Sequence, residues 1–188
     1  MYGITSSRGI WLILLGHFFL LNACSHGHYS FYIDKNNIYE VKKVAVFPFR
    51  NLSKNPRAGE IVTQIFLAKL SKKERFELEE LGNIIDFVVE QRIKMGASIN
   101  KSRLLLLKRR YKIDAVFFGD ILALEQKGEA PYISLSVRML KIDTDKIVWK
   151  ANIEKSGDDY IKVLNIGQVR SLNQLTSVVV GELMETIR

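Results

Sequence analysis

Apolar and polar positions alternate with two different periods along this chain, and the changes of period mark its elements. Val44-Ala45-Val46-Phe47 is a short apolar run stopped by Pro48, the length and β-branched content of a buried strand. Phe49 to Pro56 is rich in Asn, Ser and Pro and reads as a loop. From Ala58 to Leu70 the period becomes helical, with Ile61, Ile65 and Ala68 on one face and Val62 and Phe66 beside them. Phe76 to Glu79 alternates as a short strand. A second helix is expected from Asn83, as cap, to Met95, with Ile84, Ile85, Val88, Val89 and Ile93 inward and Gly96 at its end. A third runs from Lys101 to Tyr111. Three strands follow, at Asp114–Leu124, Tyr132–Ile142 and Ile147–Ile153, with Gly119 as a bulge or a close approach. The middle one alternates cleanly: Ile133, Leu135, Val137 and Met139 point one way, Ser134, Ser136 and Arg138 the other. Ser171 caps a last helix reaching Ile187.

A helix between the first two strands calls for a crossover and hence parallel pairing, while the later hairpins are antiparallel. The expected class is α+β, a mixed and mostly antiparallel sheet of about five strands with helices packed on it. The folded domain is expected over 41–188, preceded by a short tether over 24–40 in which polar residues interrupt Phe31, Tyr32, Ile33, Ile38 and Tyr39.

The first 23 residues have a different character. Arg8 precedes a mostly apolar run, Ile10 to Leu21, and small residues lead to the single cysteine, Cys24. That is the layout of a secretory leader. The run is too short for a membrane span, which needs ~20 apolar residues. Leu21-Asn22-Ala23-Cys24 resembles the bacterial lipobox, which implies cleavage before Cys24 and a diacylglycerol, with palmitate-type acyl chains, on its thiol. A thiol is a natural nucleophile for such a transfer. Ser25 stands where an Asp would, by the same resemblance, retain a lipoprotein at the inner membrane. The implied location is the outer membrane, facing the periplasm.

The chain has 188 residues, 47% of them hydrophobic and 26% charged, within the globular range. With the one cysteine acylated, no intrachain disulfide can form, so the fold rests on burial. Net charge is +8 and the pI about 9.5. In a cytoplasmic protein that balance would suggest nucleic acid. In an envelope protein it turns instead to anionic phospholipid, lipopolysaccharide phosphate or cell-wall carboxylate. The charge is most lopsided between Arg92 and Lys112, where Arg92, Lys94, Lys101, Arg103, Lys108, Arg109, Arg110 and Lys112 meet no acid. Two readings stand for these eight: the solvated side of amphipathic helices, or a face that meets an anionic membrane or an acidic partner.

Val44-Ala45-Val46-Phe47-Pro48-Phe49, Asn51-Leu52-Ser53 and Gly59-Glu60, then Asp114-Ala115-Val116 and Gly119, then Ser136 to Leu140 with Val148-Trp149, together resemble the CsgG/LpoB-like envelope lipoproteins. The resemblance covers roughly residues 41–157. It implies a fold like the anticodon-binding domain and the N-terminal domain of TolB, and a protein that touches other envelope proteins or itself. Channel members carry long membrane hairpins. Here the turn at Asp143–Lys146 is tight and leaves no spare hairpin, against a spanning strand's need of ~9–11 residues. The long arm of LpoB-like activators is also missing.

Catalytic signatures are absent: no phosphate-binding glycine loop, no G-x-S-x-G and no H-E-x-x-H. No cofactor and no metal is expected. His26 and His28 lack a third ligand nearby, and the pairs Asp143/Asp145 and Asp158/Asp159 sit at turns, where Asp caps backbone groups. Trp149 and Phe117 are expected in the core, and Arg138 opposite Glu154 across a hairpin. The expectation is an interaction module and not an enzyme. Mass spectrometry of the native protein is expected to find an N-terminus at Cys24 heavier by its acyl chains; a free thiol there rules out the anchor.

Overall fold

The structure is a computed structural model that describes residues 28–94, 99–161 and 167–187. Its chain order is β1 (Tyr29–Ile33), α1 (Lys35–Ile38), β2 (Lys43–Val46), β3 (Arg50–Asn51), α2 (Ala58–Ser71), β4 (Glu77–Leu78), α3 (Leu81–Glu90), α4 (Lys101–Tyr111), β5 (Ala115–Lys127), β6 (Ala130–Lys141), β7 (Lys146–Ser156), a 3₁₀ turn (Gly157–Tyr160) and α5 (Leu172–Glu185). The strands form one open sheet in the order β1-β7-β6-β5-β2-β4, with β3 beside β5. β2 is parallel to β4 and β5, and β1, β7, β6 and β5 pair antiparallel. The α+β class and the mixed sheet are as expected.

The sheet has seven strands, more than the expected five or so. β3 lies in the Asn-rich stretch read as a loop, where two residues give no alternation to detect. β1 comes from the stretch read as tether. Tyr29 opposes Ile153 and Ile33 opposes Trp149, so the chain joins the sheet ahead of Val41. Ile38 is fully buried behind it.

The sheet separates two cores. On one side, β5, β6 and β7 turn Phe117, Ile133, Leu135, Val137, Met139 and Trp149 toward Val62 and Phe66 of α2 and Val179 and Leu183 of α5. On the other, Ala45, Phe47, Val116 and Ile142 meet Ile84 and Phe87 of α3 and Leu104 and Leu107 of α4. Ring contacts bind the first core: Phe49 to Phe66 at 5.0 Å, Phe66 to Phe117 at 5.4 Å, and Phe117 to Trp149 at 5.9 Å. The Trp149 indole donates to Thr186 Oγ1 at 2.9 Å, so its one polar atom is satisfied.

Helix ends follow local chemistry where it is present. Asn100 and Ser171 accept from Arg103 N and Gln174 N, as N-caps should. Asn83 is not a cap, because α3 starts at Leu81 and the Asn83 amide donates to Glu79 Oε1 at 2.6 Å. The buried stripe of α2 is Ala58, Val62, Thr63, Phe66 and Leu70; Ile61 is half-buried and Ala68 exposed. The expected stripe is thus rotated about the helix axis, since two long neighbours and a sheet decide the contact line, and periodicity gives only its spacing.

Gly119 is a close approach. A Cβ there would lie 2.4 Å from the Phe49 ring, and the one-residue irregularity of the β5–β6 ladder falls between Ile121 and Ala123 instead. Gly119→Ala must push an aromatic ring within a packed core. The expected loss is about 1–3 kcal/mol, read as a lower urea midpoint with unchanged slope; an unchanged midpoint would mean the ring moves freely.

Candidate functional site

Cys24 and His26 lie outside the described residues. His28 opens β1, and its carbonyl accepts from Glu154 N at 2.8 Å. Among the described residues no three His, Cys, Asp or Glu side chains gather as metal ligands, and no helix is long and apolar enough to cross a membrane. Of the two acid pairs, Asp159 caps a turn, while Asp158 and Asp143 hold side chains from elsewhere in the chain. Asp159 accepts from Ser156 N at 2.8 Å in a capping box, Asp158 accepts from Gln168 Nε2 at 2.6 Å, and Asp143 accepts from Lys108. Arg138 does not reach Glu154, which takes the Tyr132 hydroxyl. It stands over the Phe118 ring, 3.7 Å from Asp120, which also accepts from Arg50 Nε at 2.8 Å. β6 is in register Arg138 to Lys150 and Ser134 to Glu154, so the expected pair sits four residues apart along the ladder.

Two of the eight basic residues, Lys108 and Arg110, are paired with acids. Arg92, in the left-handed region at φ 48°, and Lys94 follow α3. Lys101 and Arg103 begin α4. Arg110 grips Glu90 of α3 with both guanidinium nitrogens and lies 5.1 Å from the Tyr111 ring centre. That hydrogen bond holds the Glu90 carboxyl below its ordinary range. Lys108 pairs with Asp143. Arg109 and Lys112 are exposed and have no acidic partner among the described residues. With Ser102, Leu105, Lys108 and Asp114 they line a groove of 640 Å³.

A second surface escapes sequence reasoning. Ile85 and Val89, expected inward, point outward, Val89 being 70% exposed, while Ile84, Phe87 and Val88 take the core side. Ile85 and Leu81 border a 520 Å³ cleft with Pro48, Asn51 and Glu60, alongside the short β3. The signal was present: α3 is apolar around more of its circumference than one buried stripe requires. At the other end of the sheet, β1 is an edge strand without charge or proline, and Phe31 and Tyr32 are each 54% exposed. Edge strands are commonly blunted by charge or bulges; this one is not.

With this geometry in hand, comparison with known proteins is informative at the level of fold. No protein-family model matches the chain, and no curated protein matches it. Solved structures do. The PelC dodecamer from Paraburkholderia phytofirmans superposes with TM-score 0.60 at 14% identity over 86% of this chain and 97% of that one. Lipoprotein GNA1162 from Neisseria meningitidis gives 0.51 at 16% identity over 77% and 99%. The hypothetical protein CT253 from Chlamydia trachomatis gives 0.50 at 13% identity over 78% and 97%. At such identities the shared property is the fold. The chain therefore has a fold found in a bacterial lipoprotein.

What anchors α3, and with it the exposed Ile85 and Val89, is a polar cluster at its start. Lys43 Nζ lies 2.9 Å from Glu79 and 3.0 Å from Glu77. Burial acts to raise the Glu79 carboxyl, but the hydrogen bonds from Asn83 and Lys43 outweigh it and hold it low. A folded-state value below the unfolded one gives stability that is present above the unfolded value and lost as pH falls through the folded one. Glu79→Gln is therefore expected to flatten the acid limb of stability against pH between roughly pH 5 and pH 2, followed by urea denaturation. An unchanged limb would mean that Glu79 is no better held than in the unfolded chain.

Proposed function

We propose that the chain is a non-catalytic, lipid-anchored interaction module of the bacterial cell envelope, related to the CsgG/LpoB-like lipoproteins. Acyl chains on Cys24 hold it on the outer membrane, facing the periplasm, where it binds another envelope protein. The observation that carries this reading is the nearness of the lipobox-like tetrapeptide to the sheet. β1 begins at Tyr29, so an anchor at Cys24 keeps the domain within roughly 20 Å of the bilayer surface at 3.3–3.6 Å per residue. A domain held that close acts on neighbours at the same surface. The fold shared with lipoprotein GNA1162 and the exposed apolar and basic surfaces support it.

A second reading is favoured by one feature. The exposed aromatic strand β1 and the apolar cleft of α3 lie toward opposite edges of the sheet. Two different patches on opposite edges suit head-to-tail association, which closes into rings or runs into filaments. The PelC neighbour is described as a dodecamer. On this reading the module is one subunit of an oligomeric secretion or channel complex.

Crosslinking in intact envelopes, followed by capture of the chain, tests the first reading. Partner capture is expected with the native chain and lost with Cys24→Ser, which no longer sediments with membranes. Equal capture and sedimentation by Cys24→Ser would end the proposal of a lipid anchor. Light scattering of the chain without its first 23 residues tests the second: Val89→Asp is expected to reduce the assembly to monomers without lowering the free energy of unfolding in urea by more than about 0.5 kcal/mol, as befits an exposed site.

A further inference from the structure

We infer that the groove along the C-terminal half of α4 takes an acidic, partly apolar peptide segment of a partner protein. This deepens the interaction-module reading and rests on it for the kind of partner. It does not depend on the acylation of Cys24.

The argument begins with charge that the fold leaves uncompensated. Two acids line or flank the groove, and both are occupied. Asp143 accepts from Lys108, and one oxygen of Asp114 accepts from the backbone N–H groups of Lys42 and Lys43 at 2.9 and 3.0 Å. Arg109, in the last turn of α4, and Lys112, its C-cap, line the groove as cations without an acidic partner among the described residues.

Lys112 carries a second sign. It is the C-cap of α4 at φ 60° and ψ 33°, with its N–H bonded to Lys108 O at 2.8 Å. That left-handed position is one that glycine or asparagine fills at lower cost. A lysine here sacrifices some stability, and its side chain lines the groove. Glu74, Arg92 and Asp145 also have positive φ, so the backbone counts here only together with the charge.

The remaining lining selects the occupant. Leu105 is 37% exposed on the groove wall, an apolar contact that a bare phosphate or carboxylate polymer has no use for. A peptide that alternates carboxylates with an aliphatic side chain fits both the cations and Leu105. The groove also lies far along the sheet from the start of β1. Tyr29 is level with Ile153, Leu135 and Ile121 across the ladders, and β1 runs from there toward Phe117. Asp114 and the groove thus lie about 20 Å further along the strands, on the side opposite to that from which the chain enters.

The test is fluorescence anisotropy of the full chain with a labelled (Glu-Glu-Leu)₄ peptide, with (Lys-Lys-Leu)₄ and phosphatidylglycerol vesicles as comparison probes. Binding of the acidic peptide is expected to weaken with salt. Arg109→Ala and Lys112→Gly are each expected to weaken it about five- to tenfold, in line with loss of a charge at an interface. Lys112→Gly is also expected to keep or raise the thermal midpoint, because it relieves the left-handed backbone; this separates lost binding from lost folding. Lys155→Ala, on β7 away from the groove, should leave binding unchanged. Equal affinity for both peptides, wild-type binding by both groove variants, or binding to vesicles alone would each overturn the inference. Envelope crosslinking that still captures a protein partner with Arg109→Ala and Lys112→Gly would overturn this groove while leaving the interaction module standing.

Discussion

The core between the sheet and helices α2 and α5 is organised around the Phe117 ring. It is fully buried at the centre of the sheet, edge-on to Phe66, Phe76 and Trp149. Those three rings come from α2, from the approach to β4 and from β7, so one side chain joins a helix and two distant parts of the sheet. Burying an aromatic side chain of this size removes a large apolar area from water, and edge-to-face pairs add about 0.5–1.5 kcal/mol beyond area. With no disulfide among the described residues, this seam and the aliphatic rows beside it hold the domain.

The seam also decides what is left outside. The long strands β5, β6 and β7 carry most of the sheet, and their inner row is covered by α2 and α5. The opposite face is covered by α3 and α4 only around β2 and the adjoining ends of β5 and β6. The polar row of Ser134, Ser136 and Asn152 lies on that same face, with Ser136 and Asn152 hydrogen-bonded at 2.7 Å. Both edges of the sheet stay open among the described residues. The surfaces proposed for partners, the α4 groove, the α3 cleft and the β1 edge, are the places this two-core arrangement does not use.

Electrostatics divides along the same lines. A run of eight cations in sequence looks like one continuous positive face. Folded, it separates into pairs and remainders: Arg110 is spent on Glu90 and Lys108 on Asp143. Both acids come from outside the run, one from α3 and one from the turn before β7. Arg109 and Lys112, which line the proposed groove, stand among the remainders.

Local chemistry in the sequence was enough for the elements with a clear period or a clear cap. The alternation of β6, the helix from Lys101, the closing helix behind Ser171, and the core positions of Phe117 and Trp149 follow from hydrophobic spacing and short-range hydrogen bonds. Those forces act within a few residues, so they can be read along the chain. The parallel pairing of β2 with β4 followed likewise from the helix between them. Tertiary structure decided the rest. β1 and β3 are strands only because β7 and β5 offer them an edge, and neither carries enough alternation to announce itself. Ile85 and Val89 are apolar at helical spacing, yet only the position of α3 on β2 determines that they face out. The fate of each cation between Arg92 and Lys112 depended on acids far away in sequence, because Coulomb attraction follows distance in space and takes no account of order along the chain.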